Sequence, residues 1–272
     1  MDKIFKEKEA SWDYAEVWSK FPVPARPSKE ELKYLETELK RFGKNSKILI
    51  LGSTIEYRSL CNKLGIRPYV ADFDKSIYGI LTKYSKEKFV GEHFLEVDWL
   101  KIKEKNKFDV IIGHRAINVI GKEVLQKFFL RMKRVLKPSG IFYCKGNVQF
   151  INDKTKLDSI RGKWAFKKNR RYPLFSYLEV ELYFYCADRD GYVNYPKARK
   201  LVNNWYRQRK ISLKDYNLMK ILVSMSDDAR FRGKISEHEI IKKIKAAGLK
   251  IDQWLILDKD ICSNMPIIKL IK

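Results

Sequence analysis

"KILILGSTIEYRSL", Lys47–Leu60, decides how this 272-residue chain is read. Ile48 to Leu51 are four aliphatic residues in succession, as in a strand buried on both faces, and the chain turns immediately afterwards at Gly52. Nucleotide-binding folds open in this way. Their phosphate loops, however, use several glycines so that backbone N–H groups can approach an anion. Gly52 stands alone, followed by the polar Ser53 and Thr54 and the carboxylate of Glu56.

Strands and helices alternate on both sides of this stretch. Upstream, "RPSKEELKYLETELKRFG" reads as a helix with a capping box at Ser28 and Glu31, an apolar stripe of Leu32, Leu35, Leu39 and Phe42, and a stop at Gly43. Downstream, the first strand leads into a short helix through Leu60. "RPYVADF" is a second strand, followed by a helix from Lys75 to about Lys86; "HFLEV" is a third, and "FDVIIG", ending near His114, a fourth. "KEVLQKFFLRMKRVL" has helical spacing, and "LKPSG" is expected to turn the chain into a fifth strand, "IFYCKG". Short crossovers between five strands predict a parallel, doubly wound α/β sheet.

The end of the chain departs from an ordinary dinucleotide domain. "SEHEIIKKIKAAG" predicts a helix capped by Ser236 and Glu239, and "LKIDQWLIL" and "MPIIKLI" are strands separated by only "DKDICSN". That gap is too short for a helical crossover, so the last strand is expected to return antiparallel.

Composition narrows the class. A hydrophobic fraction of 45% and an aromatic fraction of 13% predict a packed globular protein. No apolar run approaches the roughly 18 residues of a membrane span, so a soluble, cytoplasmic protein without membrane contact is expected. Cys61, Cys144, Cys186 and Cys262 are scattered, and His93, His114 and His238 have no ligand spacing relative to them, which predicts reduced thiols and no metal site. The net charge of +24 has two readings: an acidic partner, or lysine interleaved with glutamate on solvated helices.

Positive charge is concentrated in one place. Between Val148 and about Ile235 the chain carries "RGKWAFKKNRR", with six basic residues and no acid, and "KARKLVNNWYRQRKISLK", with seven and none. Trp164, Phe166, Trp205 and Tyr206 are interleaved with them. Leu201, Val202 and Trp205 read as one packed helical face.

With these landmarks in order, the chain resembles the class I S-adenosylmethionine-dependent methyltransferases, a Rossmann-like family of seven strands with the last antiparallel. The resemblance covers about residues 47–146 and resumes from Ser236. "LGSTIE" is similar to a subset whose first loop reads L-G-x-T-P-E, with Ile55 in place of proline. "VADFDKSI", "VDW", "FDVIIGHRAINVI" and "RVLKPSGIFYCKG" follow at the matching places.

The resemblance implies the cofactor S-adenosyl-L-methionine, which has no phosphate: its methionine end is a zwitterion and its sulfonium is positive. One turn glycine, Gly52, with Ser53 and Thr54, then suffices, and Glu56 favours the cationic amino group or else is only an early helix residue. Asp74, 22 residues after Gly52, corresponds to the family's ribose-binding acid, with Asp72 as the competing candidate and a plain turn role as the alternative. Asp98 and Trp99 stand where the family contacts adenine. His114 and Arg115 lie at the end of the fourth strand as candidate catalytic residues. "GHRAIN" departs from the subset's acidic and small residues there, so His114 is either a general base or a residue that packs against the cofactor.

Four segments follow: residues 1–46, an N-terminal segment over the cofactor mouth carrying Trp12, Tyr14, Trp18 and Arg26, or else a hydrophobic brace; 47–147, the cofactor-binding core; 148–235, a basic lid over the acceptor; and 236–272, the helix and hairpin completing the core. The expected reaction is transfer of a methyl group to an O or N nucleophile of an anionic small-molecule or peptide acceptor. The alternatives are an RNA acceptor on the basic insertion, or a binding protein that kept the fold and lost catalysis. A nicotinamide-dependent oxidoreductase is disfavoured by the missing G-x-G-x-x-G and by the terminal hairpin.

Overall fold

In the computed structural model, which describes residues 18–150, 162, 164 and 171–272, the quoted stretch is the centre of the sheet. Strand β1 (Ile48–Leu51) is flanked by β2 (Tyr69–Asp72) and β4 (Phe108–His114), both parallel to it. With β3 (His93–Glu96), β5 (Leu136–Lys145), β8 (Lys250–Leu255) and β9 (Ile267–Ile271), they form a seven-stranded sheet of order β3-β2-β1-β4-β5-β9-β8. Strand β9 runs antiparallel to both neighbours, as the short final gap required. This is the doubly wound class I methyltransferase topology.

Strict alternation explains the all-apolar strands. Ile48, Ile50, Val110 and Ile112 join one buried cluster with Leu35 and Leu39 of helix α1 (Lys29–Lys40) and Tyr57 of helix α2 (Ile55–Lys63). Leu49, Leu51 and Ile111 point to the other face, against Phe128, Phe129 and Met132 of helix α4 (Leu125–Val135). Burying each such side chain contributes about 1.5–3 kcal/mol, which is why a four-residue strand suffices. Helix α3 (Lys75–Ser85) connects β2 to β3, and helix α8 (Glu237–Ala246), with Ser236 capping it through Glu239 N, precedes β8.

Three local expectations change. Ser28 Oγ accepts from Glu31 N at 3.1 Å, but the Glu31 side chain does not complete a capping box, because its carboxylate is buried in an ionic cluster. "LKPSG" is a bulge within one continuous strand: the pairing jumps from Phe108 with Leu136 to Val110 with Ile141. The loop before β9 contains a short helix, α9 (Lys259–Cys262).

The segment between β5 and α8 is rooted by a parallel pair, β6 (Val148–Gln149) with β7 (Ile235–Ser236). Helices α5 (Leu174–Cys186), α6 (Tyr195–Arg207) and α7 (Leu213–Leu222) pack on one another around Phe175, Leu182, Val202, Trp205 and Met219. Val202 and Trp205 are buried and Leu201 packs against them, as the spacing predicted. At the root, a Cβ on Gly146 would lie 2.3 Å from Ile117 Cγ1, so only glycine lets β5 leave the sheet this close to the turn after β4. Trp12, Tyr14, Lys163 and Phe166 lie outside the described residues.

Candidate functional site

The strand order reverses between β1 and β4, so the crevice at their carboxyl ends is where an open α/β sheet receives a ligand. Gly52 turns there with φ +83°, a conformation that favours glycine, and its N–H donates to Ala71 O at 2.9 Å. Trp99 Nε1 donates to the same carbonyl at 2.7 Å, and a Cβ on Gly52 would stand 3.7 Å from Trp99 Cζ2. The indole therefore lies beside the turn. Asp98 caps the 3-10 turn that carries Trp99, accepting from Leu100 N at 2.9 Å.

The two aspartates after β2 have different surroundings. Asp72, the last residue of β2, is buried and accepts from Ser53 Oγ at 2.7 Å, which ties the second strand to the first loop. Burial pushes its carboxyl above the usual range, against the lowering effect of the Ser53 hydrogen bond. Asp74 is instead the N-cap of α3, accepting from Ser76 N at 2.8 Å, Ile77 N at 3.2 Å and Ser76 Oγ at 2.5 Å. Thr54, also buried, occupies the N-cap position of α2 without a side-chain cap bond.

Glu56, in the first turn of α2, meets the N-terminal strap formed by residues 18–28. Arg26 Nε donates to Glu56 Oε1 at 2.6 Å and Trp18 Nε1 donates to the same oxygen at 3.3 Å. Oε2 of Glu56 is buried and has no hydrogen-bond partner among the described residues. The strap also covers His114, whose Nε2 donates to Ala25 O at 3.1 Å, and Phe21 stacks on Phe175 of the insertion at 6.0 Å between ring centroids.

Beneath the strap, Glu31 is the hub of a buried cluster. Its carboxylate receives Lys145 Nζ from the end of β5 and Tyr57 Oη from α2, and His114 Nδ1 lies 3.5 Å from Oε1. Burial alone would raise the Glu31 carboxyl, but Lys145 and His114 outweigh it and hold it well below the usual carboxylate range. Burial likewise opposes the Lys145 charge, and Glu31 more than restores it. The His114 ring is thus enclosed between Ala25 and Glu31, with its side chain 3% exposed.

Arg115 adopts a left-handed conformation, φ 55°, which turns its side chain to the insertion. Its guanidinium lies 2.6 Å from Glu179 of α5 and 3.6 Å from Met265 Sδ. Glu179 is fully buried, so this ion pair joins the carboxyl end of β4 to the inserted helices. Farther along α5, Tyr185 and Lys197, Lys200, Asn203, Asn204 and Arg207 of α6 line an open cleft of about 690 Å³. Among the described residues, no group of three or more His, Cys, Asp and Glu side chains could hold a metal, and no helix is long and apolar enough to cross a membrane.

The first loop with Glu56, Asp72 and His114 follow or end β1, β2 and β4 at the same edge of the sheet, whereas Asp74 and Asp98 cap the turns after β2 and β3. The sequence marked Glu31 only as a helix-capping residue and did not single out Tyr57, Lys145 or Glu179. The signal was present: Glu31 sits one turn before Leu35 on the apolar stripe of α1, Lys145 ends the apolar run "IFYCK", and Glu179 lies inside "LFSYLEVELYFYC". A charge on an apolar face requires a buried counter-charge.

No family model and no curated protein matches the chain. Solved structures do. An S-adenosylmethionine-dependent methyltransferase from Clostridium acetobutylicum aligns with a TM-score of 0.53 at 13% identity, over 94% of this chain and 96% of that one. A TehB-like SAM-dependent methyltransferase from Corynebacterium glutamicum aligns at 0.51 and 11% identity, over 96% of each chain. A structure provisionally described as a Zn-dependent alcohol dehydrogenase, from Rhodobacter sphaeroides, aligns at 0.57 and 14% identity, over 97% of this chain and all of that one. At these identities the likeness is one of fold.

Proposed function

We propose that the chain is an S-adenosylmethionine-dependent methyltransferase acting on an O or N nucleophile of an anionic acceptor. One observation carries the reading: carboxylates flank the first loop, Glu56 from the first turn of α2 and Asp72 from the end of β2. A dinucleotide loop offers clustered N–H donors to phosphate. Here the crevice holds Glu56, with one buried oxygen unpartnered among the described residues, and Asp72, tied to Ser53. Such a site fits a ligand with a cationic end and a ribose, and no phosphate.

When bound, S-adenosylmethionine would supply an activated methyl group on a sulfonium. Glu56 Oε2 would hold the ammonium, Asp72 the ribose hydroxyls and Trp99 the adenine side of the pocket. Asp74 supports that arrangement by fixing α3. His114 acts as a positioning residue: with Nε2 donating to Ala25 O, it holds the strap over the crevice and excludes water. Arg115 holds the insertion through Glu179. Alignment and exclusion of water can supply much of the rate of an in-line displacement without a base.

Calorimetric titration with S-adenosylmethionine and S-adenosylhomocysteine, with NAD as control, tests this. Saturable binding of the first two and none of the third is the expected result; binding of NAD alone would overturn the reading.

A second reading concerns the acceptor. The cleft lined by Tyr185, Lys197, Lys200 and Arg207 favours a polyanion such as single-stranded RNA over a small anion. RNA binding that weakens steeply with salt, and is lost in the K200E/R207E variant, would support it; unchanged binding in that variant would exclude the cleft.

A further inference from the structure

Arg115 Nε, Glu179 Oε2 and Asn147 Oδ1 are buried and have no hydrogen-bond partner among the described residues. They stand on three adjoining segments. Arg115 follows β4; its Nη1 lies 2.6 Å from Glu179 Oε1 of α5 and its Nη2 donates to Met265 Sδ at 3.6 Å, which leaves Nε as the idle donor. Asn147 follows β5 and donates Nδ2 to Gly233 O at 3.2 Å, which leaves Oδ1 as the idle acceptor. Asn118 ties the first segment to the second, its N–H donating to Arg115 O at 2.9 Å and its Oδ1 accepting from Asn147 N at 3.0 Å. Gly233 ties the second to α5: a Cβ there would lie 2.8 Å from that of Tyr183, one turn beyond Glu179. Polar groups buried unpaired cost free energy and are few in native interiors, so three on adjoining segments mark the place of a ligand.

One N–H donor and two oxygen acceptors call for the opposite set on the ligand, one acceptor and two N–H donors. A cyclic amide with an adjacent amino group, as on the edge of guanine, carries a carbonyl, a ring N–H and an amine in one plane. A phosphate or carboxylate would bring no proton to Glu179 Oε2 or Asn147 Oδ1. An adenine edge offers its amine but no ring N–H.

We infer that Arg115, Glu179 and Asn147 form an acceptor subsite for the amino-lactam edge of a guanine-type heterocycle, with its carbonyl on Arg115 Nε and its N–H groups on Glu179 Oε2 and Asn147 Oδ1. This rests on the methyl-transfer reading above and narrows it: the heterocycle enters between β4 and α5, and the anionic part of the acceptor is left to the basic insertion. The Arg115 side chain keeps 11% exposure, which is where the cluster opens. A free nucleotide and a base of single-stranded RNA present the same edge.

The test is calorimetry on the chain saturated with S-adenosylhomocysteine, which keeps the cofactor's own adenine site occupied. The probes are guanosine, N1-methylguanosine and adenosine monophosphates, and single-stranded pentanucleotides of adenosine with and without one central guanosine. In the wild type the guanosine probe is expected to bind roughly ten-fold or more tightly than the N1-methylated and adenosine probes, because each of those lacks the ring N–H. A preference seen with the mononucleotide points to a free heterocycle; one seen only with the pentanucleotide points to RNA, and both support the subsite. Asn147→Ala and Glu179→Gln should each remove most of the preference while S-adenosylhomocysteine affinity, the folding control, is kept. Should either variant fail to fold, the comparison of probes on the wild type still decides. If S-adenosylhomocysteine binds but the wild type does not distinguish guanosine from its N1-methylated form, or if both folded variants keep the preference, the inference fails and the cofactor reading stands. If S-adenosylhomocysteine does not bind, the cofactor reading fails and the inference with it.

Discussion

The carboxylate of Glu31 and the ammonium of Lys145, 114 residues apart, meet in the interior with side-chain exposures of 0% and 4%. Glu31 comes from the first turn of α1 and Lys145 from the last residue of β5, so the pair fastens the strap helix to the carboxyl end of the sheet. Breaking a buried pair from one side leaves an uncompensated charge and costs about 3–5 kcal/mol. Lys145→Met alone should therefore be strongly destabilising, whereas Glu31→Gln with Lys145→Met should recover most of the loss. Denaturant unfolding of the wild type, both single variants and the double variant closes the cycle. Additive losses would show that the two charges are not coupled.

The same pair sets a pH window. Glu31 is depressed in the folded chain, so its contribution is complete above the ordinary glutamate value of about 4.3 and fades as pH falls toward its lower folded value. Lys145 is raised, so its contribution is complete below about 10.4 and is lost only as pH rises through its higher folded value. Stability from the pair is expected to be flat between those limits. A difference in thermal stability between the wild type and the double variant that changes with pH inside that window would contradict this assignment.

Asp72 and Asp74 separate by experiment. Asp72→Asn should lower affinity for S-adenosylmethionine by roughly ten-fold or more, since charge-assisted hydrogen bonds contribute about 1.5–3 kcal/mol. Asp74→Ala should instead remove an N-cap, costing about 1 kcal/mol of stability with a smaller effect on binding. Because burial raises the Asp72 carboxyl, binding should begin to weaken on acidification above the ordinary aspartate range. The reverse pattern, with Asp74 governing affinity, would return the ribose contact to the position that its spacing from Gly52 suggested.

What was legible in the sequence follows from what is local. The strands could be read because β1 and β4 are buried on both faces and admit only aliphatic residues, and the final hairpin because chain length forbids any other return. The Gly52 turn was legible for the same reason. The register at Asp72 and Asp74 was not, because a helix cap and a strand-end ligand both select aspartate. Nor was the enclosure of His114, which depends on Ala25, 89 residues away. Pairings such as Glu31 with Lys145 or Arg115 with Glu179 leave only a charge misplaced on an apolar face, a signal that says a partner exists without saying which.

Arg115 and Glu179 give the last prediction. The ion pair is the buried link between the end of β4 and the inserted helix α5, and Glu179 is fully enclosed. Burial opposes the Arg115 charge, but Glu179 outweighs it and raises the guanidinium above its ordinary value. Arg115→Met should leave Glu179 uncompensated and loosen the insertion before the sheet. Hydrogen exchange is expected to rise across α5 while β1 and β4, buried on both faces, keep their protection. Methyl transfer should fall with the loss of insertion order, and Glu179→Leu combined with Arg115→Met should restore protection of α5 without the charges. If the double variant also restores turnover, Arg115 is a structural tie; if protection returns and turnover does not, its guanidinium contacts the acceptor directly.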